Sequence, residues 1–134
     1  MIVLDSSFLV AWYNERDAHH KAAAAAMPRV AKGAWGPALL PEYVLLETLT
    51  VLAARRDLSF AQTKAREILE SKDVELVACS PYLGQTMDVF RTQSGTALSF
   101  ADCAIVAISR ERRAQFVAGF DEEFEEISGV TLVP

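Results

Sequence analysis

Short apolar runs alternate along this chain with longer stretches of helical periodicity, and that alternation restricts the fold more than any other feature. Residues 2–4 (IVL), 33–40 (GAWGPALL), 74–79 (VELVAC), 115–120 (QFVAGF) and 130–133 (VTLV) read as strands. Between them, residues 6–14, 18–30, 41–56, 59–72, 80–91 and 98–109 read as helices, with Ser59 as an N-cap, and residues 122–127 as a short acidic helical turn. Strands joined through helices build parallel sheets covered on both faces. The expected fold is therefore a three-layer α/β/α domain with a mainly parallel sheet. At 134 residues and 51% hydrophobic content, the chain has enough material for one core and too little for two, so residues 1–134 are expected to form a single domain.

Charge and cysteine content exclude several function classes. A net charge of −5 argues against a module that grips nucleic acid by bulk positive charge, so any contact with RNA or DNA must be local and helped by cations. Cys79 and Cys103 lie in apolar surroundings and fit buried thiols of a reducing compartment. Met1 runs directly into the first strand without a leader pattern, and no segment approaches the ~18 apolar residues of a membrane span. A cytoplasmic protein is expected.

Four carboxylates stand out. The run IVL ends on Asp5, at the carboxyl end of a strand buried on both faces, which is where open α/β sheets bind ligands. Followed by Ser6, Ser7 and apolar Phe8, the same aspartate also reads as a helix N-cap. Asp121 repeats the theme after the fourth strand, with the same two readings. Glu47 is the lone charge between Glu42 and Arg55, and the three-or-four spacing of Leu40, Val44, Glu47, Val51 and Ala54 places it in an inward apolar stripe. Such a glutamate needs a cationic partner unless the stripe is misphased on a helix apolar nearly all round. Asp102 is the lone charge inside LSFADCAIVAIS, and its spacing from Ser99 is that of a capping box. One oxygen of such a carboxylate can cap while the other faces a cleft.

If these acids share a pocket they must hold protons or cations, since two carboxylates ~5 Å apart repel by roughly 3 kcal/mol at an effective dielectric near 20. All-oxygen donors select hard ions, Mg²⁺ or Mn²⁺. His19 and His20 are adjacent and point about 100° apart on a helix, so they are read as surface residues.

The start IVLDSS, the helix LLETLTVLAARR with its lone glutamate, the run LSFADCAIVAIS and the end FVAGFDEEFEEISGVTLV together resemble the PIN-domain family, most closely its VapC-type toxins. The resemblance covers nearly the whole chain. It implies a five-stranded parallel sheet and a Mg²⁺- or Mn²⁺-dependent endoribonuclease that leaves a 5′-phosphate and a 3′-hydroxyl. Asp5, Glu47, Asp102 and Asp121 match the family's acidic quartet, as catalytic residues and metal ligands, and Ser7 matches its supporting hydroxyl. It further implies an RNA substrate, a cognate antitoxin and a homodimer. One position departs from the pattern: relatives usually carry threonine or serine two residues before the fourth acid, where this chain has Gly119, and Glu123 is a candidate substitute acid. Arg91, Arg110, Arg112 and Arg113 are candidate phosphate contacts, or else solvated charges at helix ends.

Two other readings remain. A non-catalytic PIN-like binding or scaffold module would use the acids as caps only. An aspartyl phosphotransfer domain would also place an aspartate after its first strand, but a dehalogenase-like phosphatase wants a second aspartate where Ser7 stands, and a receiver wants a lysine near Asp121.

Overall fold

The computed structural model describes residues 1–134. Five parallel strands form one sheet in the order β3-β2-β1-β4-β5, built from β1 (Ile2–Leu4), β2 (Ala38–Pro41), β3 (Val74–Val77), β4 (Phe116–Ala118) and β5 (Thr131–Val133). Helices cover both faces, as the β-α alternation requires. They are α1 (Ser6–Tyr13), α2 (His20–Ala31), α3 (Glu42–Arg55), α4 (Leu58–Glu70), α5 (Leu83–Thr92) and α6 (Phe100–Arg112). Short 3-10 turns occupy Ser80–Tyr82 and Glu122–Glu126. None of the helices is long and apolar enough to cross a membrane.

The central strands explain why the apolar runs are continuous rather than alternating. Every residue of β1 and β2 is buried, because both faces of the sheet carry helices. The edge strand β3 accordingly keeps Glu75 and Leu76 exposed. Helix α6 is the most deeply sunk, with Cys103 through Ser109 buried without a break. Each fully buried Leu, Ile or Val in this core contributes roughly 1.5–3 kcal/mol of transfer free energy. Cys79 and Cys103 are buried free thiols.

Strand order reverses next to β1, with β2 and β3 on one side and β4 and β5 on the other. The gap between the carboxyl ends of β1 and β4 is thus the switch point at which such sheets take ligands.

Several boundaries differ from the sequence-based expectation, and three of the differences have a plain local cause. The second strand begins at Ala38, not at residue 33, because Gly33 and Gly36 adopt left-handed φ of 72° and 83° and make a turn. At Gly36 a Cβ would lie 2.8 Å from the Met1 nitrogen, so the chain start passes where a side chain would be. Helix α4 is capped by Asp57, whose Oδ1 accepts from the Phe60 amide at 2.8 Å, which moves Ser59 inside the first turn. Residues 80–82 form a 3-10 turn ahead of α5 rather than its first turn.

Candidate active site

Asp5 is the residue on which β1 ends and α1 starts. It is 3% exposed, and its Oδ2 caps α1 by accepting from the Ser7 amide at 3.1 Å and from the Ser7 hydroxyl. The Ser7 hydroxyl oxygen accepts in turn from the Phe120 amide at 2.9 Å. One side chain therefore ties the end of β1 to the segment leaving β4 and fixes Asp5 relative to Asp121. Burial pushes the Asp5 carboxyl up to about 6, the Ser7 bond opposes that rise, and the negative charge of Asp102 adds to it.

Glu47 reaches the same place from α3. The buried stripe of that helix is Val44, Thr48 and Leu52, so Glu47 stands at its edge, half-buried. The inward stripe read from the sequence was misphased by one residue, about 100° of helix rotation. The helix is apolar on several sides, and Leu46 is 67% exposed. Glu47 consequently needs no buried cation; its Oε2 accepts from the Ser6 hydroxyl at 2.6 Å. Ser6 was not singled out in the sequence, although it is the direct link between Asp5's helix and Glu47.

Asp102 does form the capping box. Its Oδ2 accepts from the Ser99 amide at 2.8 Å and from the Ser99 hydroxyl at 2.7 Å, while the Ser99 Oγ accepts from the Asp102 amide. Its carboxyl is raised from the ordinary aspartate range by burial, with the charges of Asp121 and Glu47 contributing and the Ser99 bonds opposing. Asp121 caps the 3-10 turn Glu122–Glu126 through Oδ1, which accepts from the Glu123 amide at 3.0 Å. A pattern emerges across all four acids: each engages one carboxylate oxygen, the aspartates with neighbours in sequence and Glu47 with Ser6 on another helix, and leaves the other without a protein donor at hydrogen-bond geometry.

Between these elements lies a groove of about 390 Å³. Ser7, Glu47 and Asp121 line one part of it, and Asp17, His19, Arg55 and Phe120 another. Asp5 and Asp102 are outside this lining and join the cluster through Ser7 and through their charges. No three of the carboxylates converge into a ready-made metal cage. The donor set still fits Mg²⁺ or Mn²⁺: it is all oxygen, it carries mutually repelling negative charge, and Mg²⁺ keeps several waters while taking one or two carboxylates.

The arginines read as candidate phosphate contacts do not line this groove. Arg91 pairs with Asp88 at 2.7 Å, and Arg112 grips Glu75 on the edge strand at 2.9 Å. Arg110 and Arg113 flank a separate hollow at the other end of α6, beside Ser128 and Gly129. The cation that does face the acids is Arg55, held to Asp17 at 3.3 Å. Glu123, the candidate substitute acid, instead accepts from the Ala97 amide at 2.7 Å and pins the loop before α6.

A family model of the PIN domain matches residues 2–130 of the sequence. The chain belongs to the PIN-domain family. Among solved structures this PIN domain is similar to Mycobacterium tuberculosis VapC20, a toxin that cleaves the sarcin–ricin loop, with a TM-score of 0.87, 25% identity and full coverage of both chains. It also shares its fold with VapBC2 from Rickettsia felis bound to a DNA fragment from its promoter (TM-score 0.70, 18% identity, 98% of this chain and 97% of that one). A comparison with curated proteins returns no match.

Gly119, the departure from the family pattern, lies beside the Asp5 side chain. A Cβ there would lie 3.2 Å from both Cβ and Oδ2 of Asp5. Gly119→Ala is expected to press a methyl on Asp5 without offering a hydrogen bond, and to lower stability in urea denaturation by about 1–3 kcal/mol. Gly119→Ser adds a donor at the same contact and is expected to recover part of that loss.

Proposed function

We propose that this PIN domain is a Mg²⁺- or Mn²⁺-dependent endoribonuclease, the toxin of a toxin–antitoxin pair, with Asp5, Glu47, Asp102 and Asp121 as its catalytic and metal-binding acids and Ser7 as their support. The observation that supports this reading is that Glu47 and Asp121 line one groove with Ser6 and Ser7, while Asp5 joins it through the Ser7 hydroxyl and Asp102 through its charge on Asp5. Asp5, Glu47, Asp102 and Asp121 would hold a divalent ion, which when bound would supply an activated water and neutralise charge on the phosphodiester. The chain's own residues set the stage. Ser7 and Ser6 orient Asp5 and Glu47, the Ser99 box fixes Asp102, and the 3-10 turn fixes Asp121. Burial of Asp5 lowers the local dielectric, which strengthens its attraction for a cation. The similarity to a toxin that cleaves the sarcin–ricin loop supports RNA as the substrate.

Partners follow from the surface beside the acids. A second groove of about 510 Å³ shares Glu47 and Val51 with the first and is walled by Tyr43, Leu46 and Phe100. Exposed Leu46, Met87 and Phe90 extend this apolar character. On our reading, an antitoxin and a second copy of the chain cover these surfaces.

The purified chain is expected to cut RNA in Mg²⁺ or Mn²⁺ and to stop on addition of EDTA. Glu47→Gln and Asp121→Asn should each lower the rate by about 100-fold or more, the several kcal/mol that a metal's charge stabilisation supplies. The capping roles of Asp5, Asp102 and Asp121 favour a second reading, a binding module without activity. That reading predicts no cleavage under either ion and no change in metal-dependent thermal stability when Glu47, which caps nothing, becomes glutamine.

A further inference from the structure

Three rings follow one another from the core to the groove. Phe8 is fully buried, Phe120 stacks on it with centroids 6.3 Å apart and planes 27° apart, and His19 stacks on Phe120 at 4.3 Å and 10°. The series ends at the exposed imidazole, inside the groove that holds Glu47 and Asp121. His19 is held there by more than its ring. The Asp17 Oδ1 accepts from the His19 amide at 2.8 Å, and Oδ2 of the same carboxylate holds Arg55 at 3.3 Å. One aspartate therefore positions a flat exposed ring and a cation in the groove that Glu47 and Asp121 also line.

From this arrangement, and resting on the ribonuclease reading, we infer that His19 is the stacking platform for an RNA base next to the scissile phosphate, with Arg55 meeting the neighbouring backbone. A single-stranded base needs a fixed planar surface, and a ring already stacked on Phe120 loses little freedom when a base lies on it. A groove with carboxylates on one wall also needs a cation if it is to accept a polyanion, and Arg55 is the positive side chain in its lining. Asp17 is a positioning residue for both.

The test measures binding on the Asp5→Asn chain, so that affinity is read without cleavage. The probes are a synthetic hairpin RNA bearing the sarcin–ricin loop and a random-sequence single-stranded RNA pool, followed by fluorescence anisotropy. Adding His19→Ala is expected to weaken binding about 5- to 100-fold, the range seen for removing one stacking partner. Adding His19→Phe instead should restore it, whereas His19→Gln should not. An abasic nucleotide at one position of the bound RNA should lose the same factor on the Asp5→Asn chain and nothing further on the chain that also lacks His19. Equal affinity with and without His19, or failure of phenylalanine to restore it, overturns the platform. Cleavage by the wild-type chain that is indifferent to His19→Ala leaves the nuclease reading standing and removes the platform. His19-dependent binding without cleavage in either ion does the reverse, and absence of any RNA binding overturns both.

Discussion

Asp5→Asn is expected to abolish RNA cleavage and, in buffer containing a chelator, to make the folded chain more stable at neutral pH. The loss of activity, by about 100-fold or more, follows from removing the most buried negative charge of the cluster. The gain in stability follows from linkage. In the unfolded chain this carboxyl titrates near 3.8, and in the folded chain burial, followed by the charge of Asp102, moves it to about 6. Between those values the folded state holds a proton that the unfolded state has released, so stability falls as pH rises from about 4 to about 6 and stays low above. The wild type forgoes on the order of 2–3 kcal/mol by pH 7 relative to pH 4 from this group. Asparagine carries no such penalty and still accepts at the N-cap. Denaturation curves of the two chains should therefore converge near pH 4 and separate towards pH 7. Mg²⁺ should then narrow the difference, because an ion that binds the folded wild type stabilises it by mass action. Curves that stay parallel across this pH range would show that Asp5 titrates normally.

Phe124→Ala should have the largest effect on stability. Phe124 is fully buried at the centre of the 3-10 turn Glu122–Glu126, with its amide bonded to the Asp121 carbonyl and its carbonyl to the Ile127 amide. Truncating a buried phenylalanine costs about 3–5 kcal/mol, a large share of the 5–15 kcal/mol that holds a small domain folded. For a chain of this size, the melting temperature should fall on the order of 10–20 °C in calorimetry. The turn also carries the cap of Asp121, so residual cleavage measured well below the new melting point should drop as well. A shift of only a few degrees would mean that the turn contributes little to the core.

The order of elements and the four acids were legible because both are written in local pattern. Strands buried on two faces read as continuous apolar runs, and a charge alone in an apolar helix is conspicuous in any phase. The phase itself was not legible in α3. With Val44, Leu45, Leu46, Leu49, Val51 and Leu52 around it, no stripe dominates, and only packing leaves Leu46 outside and Glu47 at the groove edge. Capping of Asp102 was legible from its spacing to Ser99 and Ser7 stood out through the family resemblance, whereas Ser6 carried no sign of its role until the fold sent it to Glu47. The second wall of the groove had no signature at all. Asp17, His19 and Arg55 meet because α3 ends beside the loop before α2, across 38 positions of sequence. Glycine at 119 was visible as a departure, but that it abuts Asp5 was a matter of the β1/β4 pairing.

Aspartate and asparagine codons differ by a single base, and asparagine starts a helix as well as aspartate does. If these acids perform the proposed cleavage, the capping roles of Asp5, Asp102 and Asp121 give a lineage released from selection for it a one-step route to silence that preserves its shape. Such a dead copy would keep every surface of the living one and would compete with it for whatever protein restrains it.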